Sequence, residues 1–209
     1  MSEITFISTI HKENGKCNAG ALCEIIEMVK PEVVFLEAID KTYSKYQKHL
    51  FDYFGIFHEK LEISAIQRYS LNNSVNYIPV LENTLSDAFD RKYKIVCQFR
   101  ELQELLDNFN SLASELGFKF LNSPESIKLQ EQMRKLESTL IDEELEQTVN
   151  SDINKYENSM MANIYSYTRN ETFSSAIFMC GVAHRKAIIE KMNKYNAQEQ
   201  LHLNWNVYQ

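Results

Sequence analysis

Three short apolar runs of the sequence each end at a residue that can carry or accept a proton. ISTIH ends at His11, VVFLE at Glu37 and CGVAH at His184. If these runs are strands of one parallel sheet, their carboxyl ends meet at the edge where open α/β sheets bind ligands. Two imidazoles and a carboxylate can hold a divalent metal (Mn, Co or Zn) with open positions, or act without metal as a general base and its orienting group. The residue types leave both alternatives open.

Two cations directly follow the third run. Arg185 and Lys186 fall in the first turn of an expected helix, where positive charge opposes the helix macrodipole. This unusual placement favours a functional role for Arg185 as an anion or oxyanion site. For Lys186, a salt bridge to a surface carboxylate is an equally good interpretation.

The first part of the chain has the pattern of βαβ units. ITFISTI predicts a strand over residues 3–9, and helically spaced apolar residues behind the cap candidate Asn18 predict the first helix. Pro31 stops that helix, and VVFLE at 33–37 is the continuous apolar run of a strand buried on both faces. A further helix then leads to a third strand, VNYIPV at 75–80.

Residues 84–173 contain no convincing strand and are predicted to be a helical insertion. An apolar stripe predicts a helix over 86–116, and Ser123 followed by proline caps a second helical region, 123–168, with a break near Asp142. These stripes are most simply interpreted as helix-on-helix core.

The α/β pattern returns after the insertion. SAIFMCGVAH predicts a fourth core strand over 176–182, and residues 201–209 alternate as in an edge strand with one wet face. We therefore expect one α/β domain over 1–209, with a core of 1–83 and 174–209. Its central, mostly parallel sheet has flanking helices and the long helical insertion between the third and fourth core strands. The insertion is expected to cover the site as a lid, or to form the contact surface of a homo-oligomer.

Composition excludes some partners. The 209 residues carry a formal charge of −7, which argues against nucleic acid because phosphate is bound mainly through clustered Lys and Arg. No apolar run is long enough to span a bilayer and no signal peptide is evident, so we predict a cytoplasmic protein without a membrane partner. The cysteines show no CxxC spacing and are predicted to be free thiols: Cys17, Cys23, Cys97 and Cys180.

The other histidines are interpreted as structural or surface residues. They are His49, His58 and His202. The sequence also lacks a GxxxxGK[ST] phosphate loop, a GxSxG elbow and an HExxH helix.

The same strand ends carry a resemblance to a known family. STIH at 8–11 and GVAH at 181–184 resemble the paired GxxH motifs of the Tiki/TraB superfamily, which includes erythromycin-esterase-like and ChaN-like proteins. That family has a glutamate at the end of its second strand, matching Glu37, and an E..AI segment before its third, matching EISAI from Glu62. SMMANIY at 159–165 looks like the MAxN helix of the esterase-like branch. The resemblance covers nearly the whole chain through short motifs.

The sequence departs from the family pattern at three places. Ser8 stands where glycine is usual, and Leu81 holds the position of an acidic residue after the third strand. The arginine expected upstream of the MAxN segment falls near Glu157, so Arg68 or Arg169 would have to supply its charge.

The resemblance implies a hydrolase, metallopeptidase-like or esterase-like, that cleaves a peptide or ester bond. His11 or His184 would activate water directly or on a divalent metal, Glu37 would orient or ligate, and Arg185 would stabilise negative charge. His11, His184 and Glu37 are the expected metal ligands in the metal-dependent version.

Glu13, Glu62 and Arg68 are the candidates for binding a peptide or small-molecule substrate. One alternative is an inactive ligand-binding protein of the same fold, which the departures from the family pattern favour. Another is an interaction protein whose long helices form a dimer surface. Fold membership alone does not choose among these alternatives.

Overall fold

A computed structural model of the chain describes residues 2–39, 59–199, 201 and 203–209. Its strands are, in chain order, β1 (Glu3–Thr9), β2 (Val33–Ile39), β3 (Asn76–Leu81), β4 (Ser175–Gly181) and β5 (Asn204–Val207). They form one sheet in the order β3-β2-β4-β1-β5, and every neighbouring pair is parallel. The predicted α/β class is confirmed, with the four core strands in one sheet and the last segment at its edge.

Helices connect these strands and fill the insertion. In chain order they are α1 (Ala19–Val29), α2 (Leu61–Ser70), α3 (Asp87–Val96), α4 (Arg100–Leu116), α5 (Phe118–Leu121), α6 (Pro124–Thr139), α7 (Glu143–Asn170) and α8 (Arg185–Gln198). No helix in the described part of the chain is both long and apolar enough to cross a bilayer.

Both faces of the sheet are covered, which explains why the core strands read as continuous apolar runs. On one face α1 and α2 cover side chains such as Ile7, Val34 and Met179. On the other face α7 and α8 pack against Phe6 and Phe35. The carboxyl edge of the sheet is left for the connections that carry the candidate site.

The helix predicted over 86–116 is instead two helices, α3 and α4. At the break, the backbone N–H groups of Gln98 and Phe99 bond three residues back instead of four. The Gln103 side chain donates to the Cys97 carbonyl at 2.8 Å. These bonds satisfy the backbone groups at the end of α3, so the helix stops there in a turn. The apolar periodicity of the sequence nevertheless continues across that turn.

The other helix boundaries of the insertion follow their sequence signals. Ser123 Oγ accepts from the backbone N–H of Ser126, and Asp142 Oδ1 accepts from that of Leu145, which start α6 and α7. Gly117 ends α4 with a φ of 69°. A side chain is disfavoured in that conformation, so the glycine stops the helix where its neighbours could not.

Candidate active site

The carboxyl ends of β1, β2 and β4 meet around Gly181, the last residue of β4. A Cβ atom placed on Gly181 would lie 3.4 Å from Glu37 Oε2, 3.8 Å from His11 Nε2 and 3.9 Å from His184 Cδ2. The φ of Gly181 is −56°, which any residue adopts. The structure thus brings the three strand-end residues together around Gly181, where a Cβ atom would be in ordinary van der Waals contact with each of them.

His11 lies just beyond β1 and is paired with a buried carboxylate. Its Nδ1 is 3.1 Å from Glu62 Oε1, and the side chain of His11 is 54% exposed whereas that of Glu62 is 6% exposed. Thr9 Oγ1 donates to the same oxygen at 2.7 Å. The hydrogen bond to Glu62 raises the pKa of His11 above 6.5, although burial opposes it. A neutral ring that donates from Nδ1 keeps Nε2, which points toward Gly181, as a proton acceptor.

Glu37 projects from β2 and is held by two donors. The backbone N–H of Gly181 donates to Oε2 at 2.6 Å, and the Tyr156 hydroxyl donates to Oε1 at 2.7 Å. Burial and the nearby Glu37 carboxylate raise the pKa of Tyr156 well above its usual value, so this hydroxyl stays a donor. An ionised carboxylate has further acceptor positions, so Glu37 can still bind a water or a substrate group.

His184 is the last residue of a short 3₁₀ turn, Val182–His184, that follows β4. Its Nδ1 is 3.0 Å from Glu157 Oε1, and Nε2 is 3.8 Å from Glu37 Oε1. Lys191 Nζ lies 3.7 Å from the other oxygen of Glu157 and balances its charge. The Tyr156 ring stacks on the imidazole at a centroid distance of 5.4 Å. His184 is therefore a second imidazole–carboxylate pair, but a buried one.

A cavity of about 260 Å³ opens beside these groups, and we call it the sheet-edge cavity. Its polar lining consists of His11, Glu37, Lys60, Glu62, Thr84 and Tyr156. The rest is mainly apolar and comes from β2, β3, α2 and the start of the insertion. His184 is absent from this lining, contrary to the prediction that it shares one ligand site with His11 and Glu37. Glu37 and the Tyr156 ring lie against its imidazole and separate it from the cavity.

Arg185 does not reach the sheet-edge cavity. It is only 3% exposed, and its Nη1 donates to Asn122 Oδ1 at 2.6 Å and to Ser8 Oγ at 3.2 Å. Its Nη2 donates to the carbonyls of Asn122 and Tyr208 at 2.7 and 2.8 Å. Burial lowers the pKa of Arg185 to about 10, so the side chain remains charged at neutral pH. In place of the expected oxyanion contact, Arg185 links β1, the insertion and the end of the chain.

Three further predicted residues lie away from the cavity. Lys186 pairs with Glu131 on the surface, which confirms the salt-bridge interpretation. Glu13 Oε1 accepts from the backbone N–H of Ala19 at 2.8 Å and so caps the start of α1. Arg68 is exposed in the last turn of α2, at the opposite end of that helix from the cavity. Of the predicted substrate-binding residues, Glu62, in the first turn of α2, lines the cavity.

The predicted metal ligands are not assembled as one donor set. Across the described residues, the His, Cys, Asp and Glu side chains form no group of three or more that could hold a metal ion. Both imidazoles direct Nδ1 to a glutamate, and Nε2 of His184 lies beside Glu37. As placed, His11, Glu37 and His184 do not fit a divalent metal.

Sequence reasoning missed two residues of the site, Tyr156 and Glu157. In the sequence, Tyr156 belongs to the apolar stripe of the second helical region, and Glu157 falls near the position of an expected arginine. A signal was present, because Glu157 precedes Met160 and Met161 on a helix face that is otherwise apolar. A buried carboxylate on such a face needs a partner, and the partner is His184.

The three histidines interpreted as structural or surface residues lie outside the described residues. They are His49, His58 and His202. The interpretation of each remains a prediction.

Comparisons with known proteins add one finding. No protein-family model and no curated protein matches this sequence. Among solved structures, the chain is similar to a histidine-to-asparagine mutant of the erythromycin esterase EreC in its open conformation, with 12% identity and a TM-score of 0.42. The similarity covers 86% of this chain and 60% of that one. So distant a match says nothing about chemistry, which has to be argued from the site itself.

Proposed function

We propose that this chain is a hydrolase that cleaves an ester or peptide bond with His11 as its general base. The observation that carries the proposal is the convergence of His11 Nε2 and Glu37 Oε2, from two strands, beside Gly181 at the sheet-edge cavity. A carboxylate-oriented imidazole beside a cavity is the arrangement that activates water in many hydrolases. The motif resemblance to the Tiki/TraB superfamily points in the same direction.

In the proposed reaction, a water molecule lies in the sheet-edge cavity beside Gly181, within reach of His11 Nε2 and Glu37. His11 Nε2 takes a proton from this water as its oxygen attacks the carbonyl carbon of the substrate. The tetrahedral intermediate then loses the alcohol or amine as the bond to that group breaks, and the proton held on Nε2 passes to the leaving atom. Glu62 keeps the ring in the required tautomer and stabilises the imidazolium that forms between the two steps.

Glu37 has the role of positioning the water. Its carboxylate is fixed by Tyr156 and by the N–H of Gly181, so it accepts a hydrogen bond from the water without moving. Lys60 lines the same cavity and places positive charge near the developing oxyanion. His184 does not contact the water in this proposal. It lies beside Glu37 and behind Tyr156, and it acts by holding these two residues in place.

The test is hydrolysis of a panel of 4-nitrophenyl esters and short peptides by the wild type and by His11→Gln. We expect His11→Gln to lower kcat/KM by about 10²- to 10⁴-fold, the usual loss for a positioned general base. Because the side chain of His11 is 54% exposed, the Tm should change little. Lys12→Gln, at the adjacent exposed position, is the matched control and should keep full activity.

A rate that His11→Gln leaves unchanged would refute the assignment of the base. If the wild type hydrolyses none of these compounds, the inactive ligand-binding alternative becomes the better account of the fold.

A further inference from the structure

A second, larger cavity lies within the helical insertion. Its volume is about 430 Å³, within the range of small-molecule sites, and α3, α4, α6 and α7 form its walls. His184 and the preceding residue, Ala183, also line it, from the sheet side. We call it the insertion cavity. The sheet-edge cavity shares none of its lining residues.

The inner wall of the insertion cavity is apolar. Met133 and Val149 are 3% and 1% exposed, and the other large aliphatic or phenyl side chains of the lining are Phe89, Leu106, Ile141 and Ile153. Such a wall favours a ligand with a hydrocarbon or aryl body, because removing apolar surface from water drives its binding.

Ion pairs neutralise only some of the charged side chains that line the insertion cavity. Lys92 and Glu137 form a buried ion pair with 2.5 Å between Nζ and Oε2, so this lysine is already occupied. Arg134 and Lys135 lie on the exposed side of α6, and among the described residues neither has a carboxylate within ion-pair distance. Glu146 also lines the cavity, so the lining carries more positive than negative charge.

Arg134 is held in place at the cavity. One of its guanidinium nitrogens donates to the carbonyl of Ala183, in the 3₁₀ turn that follows β4. That bond fixes the side chain between the insertion and the sheet and leaves its other N–H groups for an acceptor. A fixed guanidinium matches a carboxylate, because its planar donors can pair with both oxygens.

We propose that the insertion cavity binds a compact amphipathic carboxylate, such as a medium-chain or aryl-alkyl acid. The carboxylate pairs with Arg134, with Lys135 adding positive charge, and the apolar body lies against Met133 and Val149. This site is separate from the proposed hydrolase site and does not depend on its activity. Since His184 lines the cavity, the bound ligand changes the surroundings of that imidazole.

The experiment is calorimetric titration of the full chain with octanoate, 1-octanol and octylammonium. Octanoate should bind with a Kd of about 0.1 to 1 mM, as expected for a ligand of this size. Octanol and octylammonium should bind at least about tenfold more weakly, because they lack the anion. Arg134→Gln should weaken octanoate about tenfold, while Lys128→Gln, on the exposed face of the same helix, should have no effect.

Two further measurements locate the site. Octanoate should shift the imidazole resonances of His184 and leave those of His11 in place, with the two sets of resonances assigned from the spectra of His184→Asn and His11→Gln. Val149→Trp fills the inner wall and should abolish binding, with circular dichroism and Tm showing that the variant folds. If Val149→Trp does not fold, Arg134→Gln and the resonances decide.

Equal binding of the three octyl compounds would overturn the proposal, as would octanoate binding that Arg134→Gln leaves unchanged. A lack of saturation by about 10 mM octanoate, or a shift of the His11 resonances instead, would also overturn it.

Discussion

The two imidazole–carboxylate pairs of this protein have nearly the same geometry and very different surroundings. His11 lies 3.1 Å from Glu62 and His184 lies 3.0 Å from Glu157. The side chain of His11 is 54% exposed, whereas that of His184 is 10% exposed. An imidazole must exchange protons with water or substrate to act as a base, and the exposed pair meets that condition.

The buried pair, His184 and Glu157, has different surroundings and contacts. Glu157 holds His184 in one orientation, and the Tyr156 ring covers it from the side of the sheet-edge cavity. Its Nε2 faces Glu37, the carboxylate that approaches Gly181. Under the proposed function, the two pairs divide the roles of the site: His11 meets the substrate, and His184 supports the residues that do.

The largest effect on stability is expected from His184→Leu. This change leaves the buried carboxylate of Glu157 without its imidazole, with Lys191 still 3.7 Å away. Losing one partner of a buried pair typically costs about 3 to 5 kcal/mol, which lowers the Tm of a chain of this size by about 6 to 20 °C. Thermal unfolding followed by circular dichroism measures it.

His184→Asn is the matched control, because its amide can still donate to Glu157. It should recover part of the lost stability. If His184→Leu were as stable as the wild type, the buried pair would have no structural role and the division between the two pairs would fail.

A smaller loss is expected from Arg185→Gln. Arg185 makes four hydrogen bonds in a buried position, and glutamine cannot reproduce them. We expect a loss of about 2 to 3 kcal/mol, with kcat/KM nearly unchanged in the folded variant. Chemical unfolding and ester hydrolysis measure the two quantities. A strong loss of kcat/KM at unchanged stability would restore the oxyanion role that the sequence suggested.

The smallest effect is a change in pH dependence in Glu62→Gln. Removing the carboxylate lowers the pKa of His11 toward its ordinary value, because the charge that stabilises the imidazolium is lost. A base acts in its neutral form, so activity should rise with pH through the pKa of His11. In the variant this rise should occur at lower pH. Titration of the His11 resonances by NMR and the pH–rate profile should move together.

The His11–Glu62 pair also makes the stability of the fold depend on pH. This dependence is opposite in sign to that of the activity. Since the folded-state pKa of His11 is raised, the His11–Glu62 interaction stabilises the protein fully below about pH 6.5. That contribution is lost as pH rises through the folded-state value. Glu62→Gln should abolish this dependence, and a pKa of His11 that does not fall in the variant would contradict the assigned pairing.

The sheet and the convergence of its ends could be predicted because they depend on local patterns. Continuous apolar runs are typical of buried parallel strands, and parallel strands end at one edge. His11, Glu37 and His184 were found in this way. The orientation of each side chain could not be predicted, since exposure and burial at that edge depend on how the insertion folds back.

Arg185 and Glu157 show why the other contacts of the site could not be predicted from the sequence. A cation in the first turn of a helix suggested an anion site, but the acceptors that bury Arg185 come from Ser8, Asn122 and Tyr208. Those residues are remote in sequence and carry no shared motif. The partner of Glu157 is likewise set by packing of α7 on the sheet, which no local pattern encodes.

Gly181→Ala is the decisive variant, because it places a methyl group against the proposed water position and changes little else. The added methyl would lie 3.4 to 3.9 Å from Glu37, His11 and His184, which is ordinary contact, and the φ of −56° suits alanine. We expect a Tm equal to or slightly above that of the wild type, together with a loss of about 100-fold or more in kcat/KM for ester hydrolysis. An alanine variant that keeps both its stability and its full hydrolytic rate would show that the reactive centre lies elsewhere.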